Sequence, residues 1–243
     1  MLVGIIADLH SNLEATRAVL KELDRVHPDH IICLGDITGY YANPNEVVEI
    51  IREREIPTIM GNHDAAVCGL EEPWFFNEKA QRAIQWQITQ LHKEHREWLA
   101  KAPVEMNVNN EILAVHGAPG NRDDYILDWL DAMRHLEYLV RAKKRVCFFG
   151  HSHRATIYSE RGMVPKTTEN AYALSTDHNR YFLNPGSVGQ PRDRDPRAAF
   201  GLYESETKVF EFCRIEYDIS EAARKVVEAG LPPELARRLT LGK

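Results

Sequence analysis

The chain has 243 residues and a mild formal net charge of −6. This charge argues against a surface that binds duplex nucleic acid, because phosphate contacts require clustered basic side chains. No stretch of about 18 apolar residues occurs, so we expect no membrane span. The apolar start lacks a basic flank and is interrupted at Asp8, which indicates a buried strand rather than a signal peptide.

The four cysteines are far apart in the sequence and form no C-x-x-C pair. Cys33 and Cys147 lie within predicted buried strands, where a free thiol behaves as a small apolar group. We therefore expect reduced thiols and a cytoplasmic protein, with a disulfide or a metal-binding cysteine as the alternatives.

The first half of the chain alternates between predicted strands and helices. The strand Leu2–Ala7 precedes the helix Leu13–Val26, in which apolar residues recur near helical spacing. The elements expected next are the strand Ile31–Leu34, a helix Glu46–Glu53 with Asn45 as its N-cap, the strand Thr58–Met60, and two helices within Asn77–Ala100.

The second half is predicted to be richer in β-structure. Val104–Val108 and Ile112–Val115 flank Asn109-Asn110, which is typical of a hairpin. The remaining expected elements are a helix Asp131–Arg141, strands Val146–Phe149, Ala155–Ser159, Arg180–Leu183, Ala199–Glu204 and Lys208–Arg214, a helix capped by Ser220, and a short helix opened by Pro232-Pro233. No internal repeat or linker-like stretch occurs, so we expect one domain over residues 1–243.

Five predicted strands end in residues that bind metal ions in proteins. These endings are Asp8-Leu9-His10, Gly35-Asp36, Gly61-Asn62-His63-Asp64, His116-Gly117 and Gly150-His151-Ser152-His153. The carboxyl ends of strands in an open α/β sheet meet in one crevice, so these side chains should converge. Carboxylate, amide and imidazole ligands suit Mn, Fe, Zn or related ions. Any one segment would also suit a turn or a helix cap, but the set predicts a two-metal site.

These segments resemble the five motifs of the calcineurin-like metallophosphoesterase family, which read D-x-H, G-D, G-N-H-[DE], G-H or H-G, and G-H-x-H. All five occur in family order, and Asn184-Pro185-Gly186-Ser187-Val188 also resembles the family. The likeness is greatest to the small bacterial and archaeal phosphodiesterase branch. It implies the metallo-dependent phosphatase fold, a four-layer αββα sandwich of two mixed sheets flanked by helices, with a helical insertion around residues 71–102.

The resemblance also implies a role for each motif residue. The first metal would be held by Asp8, His10, Asp36 and His153, and the second by Asp36, Asn62, His116 and His151. The ions would be Mn, Fe, Zn or Ni, and a hydroxide bridging them would attack phosphorus in line. His63 would be the general acid for the departing alkoxide. Asp64 would either orient His63 or cap a helix.

Departures from the family narrow the expected substrate. In protein Ser/Thr phosphatases and diadenosine-tetraphosphate hydrolases, the second motif is extended to G-D-x-x-x-R-G. The arginine of this motif binds a terminal phosphate. Here Tyr40 stands at the arginine position, and Gly39 stands where protein phosphatases have a histidine-orienting aspartate. This favours a phosphodiesterase for small diesters, with cyclic nucleotides among the candidates. Arg192 and, more weakly, Arg122 are candidates for a replacement phosphate contact.

Two other functions remain open at this point. One is a dinucleoside-polyphosphate or protein-phosphatase-like phosphomonoester hydrolase, and the other is a non-enzymatic scaffold similar to the retromer subunit. Scaffolds of that kind typically lose the acid histidine, whereas His63 is present. The aromatic run Trp74-Phe75-Phe76 near Trp86 would either stack a substrate base or anchor helices to the core. The sequence leaves the oligomeric state open.

Overall fold

Two mixed β-sheets form the centre of the molecule. The computed structural model describes residues 1–165 and 169–243, and it describes the backbone but not the side chain of Phe75. The five-stranded sheet has the spatial order β2 (His30–Cys33), β1 (Leu2–Ile6), β10 (Ala198–Glu204), β11 (Val209–Ile215) and β8 (Ala171–Ala173). The six-stranded sheet has the order β3 (Glu105–Asn107), β4 (Ile112–Val115), β5 (Val146–Phe148), β9 (Tyr181–Asn184), β6 (Thr156–Ser159) and β7 (Gly162–Met163).

Alternating side chains pack the two sheets face to face. In β4, Ile112 and Ala114 join a buried cluster that also contains residues of β1, β5 and β10. The intervening Leu113 and Val115 point to the other face, where they pack with Leu139 and other helical residues. This period of two, expected for a strand buried on both faces, gives each sheet one inner and one outer apolar surface.

Helices cover both outer surfaces. Their bounds are α1 Leu13–Val26, α2 Pro44–Glu53, α3 Asn62–Val67, α4 Glu78–Gln90, α5 Lys93–Leu99, α6 Trp129–Arg134, α7 Leu136–Arg141, α8 Ile219–Glu228 and α9 Pro233–Leu241. Residues of α1 and α2 pack on the five-stranded sheet, and residues of α6 and α7 pack on the six-stranded sheet. The predicted αββα sandwich is confirmed. Among the described residues, none of these helices combines the length and apolarity that a bilayer span requires.

Two predicted helix caps were wrong. Pro44 opens α2, so Asn43 occupies the N-cap position instead of Asn45. The Asn45 side chain bonds across the fold instead, accepting hydrogen bonds from the backbone N–H of His92 and from Nδ1 of His95. The last long helix begins earlier than predicted, because Asp218 rather than Ser220 accepts a hydrogen bond from Glu221.

Two other predicted elements differ in detail, and two strands were not predicted. The expected helix Asp131–Arg141 is two helices, α6 and α7, that meet at His135. Thr58–Met60 does not form a strand, and its described pairing is a single bridge from Thr58 to Cys33. The short strands β7 and β8 were not predicted, since neither has an alternating apolar pattern long enough to read.

Candidate metal centre

The predicted ligands meet at one edge of the two sheets, where parallel strands end. The residues that follow β1, β2, β4 and β5 are Asp8 and His10, Asp36, His116, and His151 and His153. Asn62, the seventh predicted ligand, begins α3. All seven are buried, so the side chains of the site lie below the protein surface.

The side chains form two clusters that share one carboxylate. The first contains Asp8, His10, Asp36 and His153, and the second contains Asp36, His116 and His151, with ligand atoms inside each cluster within 4.8 Å of one another. Asn62 extends the second cluster, since its Oδ1 lies 3.1 Å from Nε2 of His116. Asp36 is thus the residue that touches both halves of the site.

Five of the seven ligands have a positive φ: Asp8, His10, Asp36, His151 and His153. A non-glycine residue in this region costs on the order of 1–3 kcal/mol, so the surrounding chain must enforce it. Hydrogen bonds between motifs do so: the N–H of His10 donates to the carbonyl of Asp36 at 2.9 Å, and that of Gly150 donates to the carbonyl of His116 at 2.7 Å. The ligands are therefore held by the backbone itself.

Each aspartate uses one oxygen for the fold and directs the other into the clusters. Oδ1 of Asp8 accepts the N–H of His151 at 3.0 Å, and Oδ1 of Asp36 accepts the N–H of His63 at 2.9 Å. The second oxygens, Oδ2 of both aspartates, are buried without a hydrogen-bond partner among the described residues. A buried, unpaired carboxylate oxygen is costly unless a cation compensates it.

The histidine tautomers are fixed by carbonyl groups. Nδ1 of His10 donates to Thr38 at 2.9 Å, and Nδ1 of His153 donates to Gln190 at 2.6 Å. Each ring therefore presents an unprotonated Nε2, and these two nitrogens face each other at 3.0 Å. Two lone pairs at this distance repel unless a cation lies between them. Such carbonyl partners are the usual support of metal-binding imidazoles, so the residues fit a metal ion.

The electrostatics of the metal-free site point the same way. Burial holds the pKa values of His10, His151 and His153 well below that of free imidazole, so these rings are neutral and able to bind metal. Burial also acts on His116, but Asp36 outweighs it and raises the pKa of His116 to about 9. Burial raises the pKa of Asp8 to about 7. Bound cations would replace these protons.

His63 lies beside the clusters but belongs to neither. Its ring packs against Tyr40 and Phe76, with ring centroids 4.6 and 4.8 Å away, and it borders a cavity next to the clusters. Nδ1 of His63 is buried without a hydrogen-bond partner among the described residues. Burial lowers the pKa of His63 to about 4, so protonation of this ring requires a negative charge beside it, such as that of a bound phosphate. Packing rather than a carboxylate holds this ring.

Of the two roles expected for Asp64, the structure shows helix capping: Asp64 is the third residue of α3, and its carboxylate accepts the N–H of the N-cap residue Gly61 at 3.1 Å. Its carboxylate accepts hydrogen bonds from the N–H groups of Ile37, Thr38 and Gly61 and from the Thr38 hydroxyl, and among the described residues none comes from His63. The N-cap position of α3 is Gly61, and Asp64 lies three residues further on. Asp64 therefore ties the loop that carries Asp36 to the start of α3.

A glycine gives His10 and His63 the room that they occupy. The φ of Gly39 is +111°, and a Cβ at this position would lie 2.6 Å from Nδ1 of both histidines. The loop is fixed from α4 by Gln87, whose Oε1 accepts the Gly39 N–H at 2.7 Å. Nε2 of the same side chain donates to Ser11, Gly39 and Tyr41. The helical segment thus clamps the second motif.

We expect Gln87→Leu to lower the free energy of unfolding by roughly 2–4 kcal/mol, because it leaves buried backbone groups unpaired. It should also lower activity, since the Gly39 loop is released beside His63. Urea unfolding monitored by circular dichroism measures the first effect. Gln85→Leu, at an exposed position on the same helix, is the matched control. Equal stability of the two variants would contradict the clamp.

Arg192 lies close to the clusters and has neutral hydrogen-bond partners. Its guanidinium donates to the Tyr40 hydroxyl at 3.1 Å and to Oε1 of Gln190 at 2.7 Å, and it also interacts with Tyr125. Its charge contributes to the lowered pKa of His63, His151 and His153, so it lies close to the clusters. Tyr40, at the family's arginine position, thus supports an arginine from another loop.

Arg122 is engaged elsewhere. It pairs with Glu71 at 2.8 Å and with Asp123 at 3.1 Å. Both carboxylates line the cavity beside the clusters, and neither Arg122 nor Arg192 is among the residues that line it. The structure therefore gives Arg122 two carboxylate partners at the rim, and a direct phosphate contact has less support than for Arg192.

Sequence reasoning missed Tyr125, whose ring stacks on His151 with centroids 3.8 Å apart. It also missed the role of Ser187 in the Asn-Pro-Gly-Ser segment. The hydroxyl of Ser187 donates a hydrogen bond to the carbonyl of Asp8 at 2.8 Å. No local pattern marks Tyr125. The Asn-Pro-Gly-Ser segment itself was the available signal for Ser187.

Buried carboxylate and imidazole clusters at the strand ends of an αββα sandwich define a metal-dependent phosphoesterase. Comparison with known proteins agrees: residues 1–208 match the calcineurin-like phosphoesterase superfamily domain. The chain belongs to this superfamily.

Three relatives extend over the whole chain. A metallophosphoesterase from Sphaerobacter thermophilus of known structure is 34% identical, covers 100% of this chain and 99% of its own, and superposes with a TM-score of 0.86. An uncharacterised protein of Methanocaldococcus jannaschii is 36% identical over 248 residues, covering 100% of this chain and 98% of that protein. A hypothetical protein from Pyrococcus horikoshii, 20% identical with 100% and 98% coverage and a TM-score of 0.83, shares the fold.

Proposed function

We propose that the protein is a binuclear-metal phosphodiesterase that hydrolyses small phosphodiesters. The observation that carries this proposal is the pair of buried clusters joined by Asp36, in which imidazole nitrogens and carboxylate oxygens converge within metal-binding distance of one another. Asp8, His10, Asp36 and His153 would hold one divalent ion, and Asp36, Asn62, His116 and His151 the other. The bound pair supplies positive charge at the phosphate and lowers the pKa of a water for in-line attack.

The remaining steps belong to side chains around the clusters. His63 would donate a proton to the departing alkoxide, because its ring borders the cavity without serving either cluster. Arg192, held by Tyr40 and Gln190, would bind a non-bridging oxygen of the phosphate and orient it. We also propose one domain, since both sheets share a core, and a cytoplasmic location.

A diester fits this site better than a monoester or a polyphosphate. A terminal phosphate needs a fixed cation to bind its second charge, and Tyr40 occupies the position where relatives of those classes are expected to have an arginine. Measured metal content, with turnover of bis(p-nitrophenyl) phosphate against p-nitrophenyl phosphate, tests the proposal. Faster turnover of the monoester would reject the phosphodiesterase, and full metal occupancy without turnover of either would favour the scaffold.

We expect Arg192→Ala to lower kcat/KM for bis(p-nitrophenyl) phosphate by about 10–100-fold, the effect of losing a hydrogen bond to a charged group. Tyr40→Phe should cause a smaller loss, because it removes one of the bonds that hold the guanidinium. Elemental analysis should find unchanged metal content in both variants. Arg197→Ala, an exposed arginine on the same loop, is the control. Undiminished kcat/KM in Arg192→Ala would remove this residue from the proposed site.

A further inference from the structure

A cavity of about 460 Å³ borders the metal clusters and contains groups that the hydrolytic step does not use. Its base includes Asn62, His63 and His151, so a phosphate bound at the clusters lies at its inner end. This volume falls within the range of small-molecule sites. One ester arm of a diester would therefore extend into it.

The walls of the cavity are aromatic. Tyr40, Phe76 and Tyr125 line it. Phe76 packs edge-on against His63, and Tyr125 stacks on His151, so both rings are fixed relative to the reacting phosphate. Tyr125 is nevertheless 46% exposed, which leaves part of its surface available. Such surfaces bind flat rings through stacking.

The rim of the cavity is acidic. Glu71 and Asp123 line it, and Arg122 lies between them, within 2.8 Å of the first and 3.1 Å of the second. Two carboxylates against one guanidinium leave a negative charge in excess. Glu71 is largely buried, with a side-chain exposure of 16%. The rim thus offers fixed hydrogen-bond acceptors to a ligand.

The two ends of the cavity have opposite preferences. Arg192 and the metal sites at the inner end attract a phosphate, whereas Glu71 and Asp123 would repel a second one. An arm with N–H or O–H donors satisfies the carboxylates, and a flat ring satisfies Phe76 and Tyr125. A nucleoside has both features, a flat base and N–H or O–H donors, and it forms the ester through one of its hydroxyl groups.

We propose that this cavity, which we name the arm pocket, binds a nucleoside arm of the diester and that Glu71 and Asp123 determine this specificity. The substrates would be nucleoside diesters with a single phosphate rather than nucleoside polyphosphates. The inference rests on the proposed function, because the phosphate must be bound at the clusters.

The test compares three diesters in which the arms differ in ring and donors. The dinucleoside monophosphate of thymidine has rings and donors, bis(p-nitrophenyl) phosphate has rings without donors, and glycerophosphocholine has a cationic arm without a ring. Each of the first two carries the same group on both sides of its phosphate, thymidine or p-nitrophenyl, so either arm brings the same ring to the pocket. Chromatography of the products gives kcat/KM for each diester.

The variants are Glu71→Gln, Asp123→Asn and the double change, which keep side-chain shape and remove charge. The matched controls are Glu72→Gln and Asp124→Asn, the adjacent acidic residues outside the pocket lining. We expect the double variant to lose about tenfold in kcat/KM on the dinucleoside monophosphate, in line with weakened charged hydrogen bonds. Its activity on bis(p-nitrophenyl) phosphate should stay unchanged or rise, and metal content should not change.

Other outcomes overturn the proposal. Equal changes in kcat/KM on all three diesters would mean that the pocket does not distinguish one ester arm from another. A greater loss on glycerophosphocholine would assign the pocket to a cationic head group instead. Calorimetric binding of thymidine monophosphate separates this inference from the proposed function. If no diester is hydrolysed, weaker nucleotide binding by the double variant would retain the pocket and reject the phosphodiesterase, while unchanged binding would reject both.

Discussion

Asp36→Asn is expected to remove most of the bound metal and the activity together. Asp36 is the carboxylate shared by both clusters, and its Oδ2 lies 3.5 Å from Nε2 of His10 and 3.4 Å from Nε2 of His116. An amide keeps the shape but not the charge that would hold two cations together. The loss of activity should exceed the about 10–100-fold that follows removal of an outer-sphere partner of a metal ligand. Elemental analysis and bis(p-nitrophenyl) phosphate turnover measure both effects.

The control for this prediction is Asp24→Asn, which removes an exposed aspartate paired with Arg54. Folding must be checked as well, because Oδ1 of Asp36 also accepts the N–H of His63. Circular dichroism of the variant should show the native secondary structure. A folded Asp36→Asn protein that retains two metals per chain would refute the bridging assignment.

The fold was predictable where the local pattern of apolar residues indicates one type of secondary structure. Ile112–Val115 was placed correctly because four successive apolar residues bounded by a turn indicate a strand buried on both faces. The cap of α2 was misplaced because Asn43 and Asn45 both suit an N-cap, and Asn45 makes its bonds to His92 and His95 of a distant segment. Such long-range partners leave no trace in the local pattern.

The same contrast between local patterns and long-range partners applies to the site. Six of the seven predicted ligands come together because they follow strands, and strand ends can be recognised in the sequence, whereas Asn62 begins α3. Gln87 and Tyr125 act on the site from α4 and from a loop, and no spacing relates them to the motifs. For Asp64 the sequence suggested either a contact with His63 or a helix cap, and the carboxylate bonds to Thr38 and to the N–H of Gly61 at the start of α3. At this turn, adjacent positions in the sequence do not imply that the two side chains are in contact.

His63→Ala should separate chemistry from metal binding. If His63 protonates the leaving group, its loss should slow hydrolysis of an alkoxide ester by roughly 10²–10⁴-fold. The loss should be much smaller for a p-nitrophenyl ester, because p-nitrophenolate departs without a proton. Metal content should stay unchanged, since the ring belongs to neither cluster. The diagnostic quantity is the ratio of the two losses, obtained from kcat on a matched pair of esters.

Two comparisons make this ratio interpretable. His151→Ala, which removes a cluster residue, should lower metal content and reduce both activities alike, whereas His178→Ala, at an exposed position, should change neither. Equal losses in His63→Ala on both esters, with metals retained, would mean that the ring orients the phosphate or the attacking water instead of donating a proton. Loss of metal in His63→Ala would show that the ligand set itself includes this histidine. Because His63 packs against Tyr40 and Phe76, the dependence of the loss on the leaving group is the decisive measurement of its role.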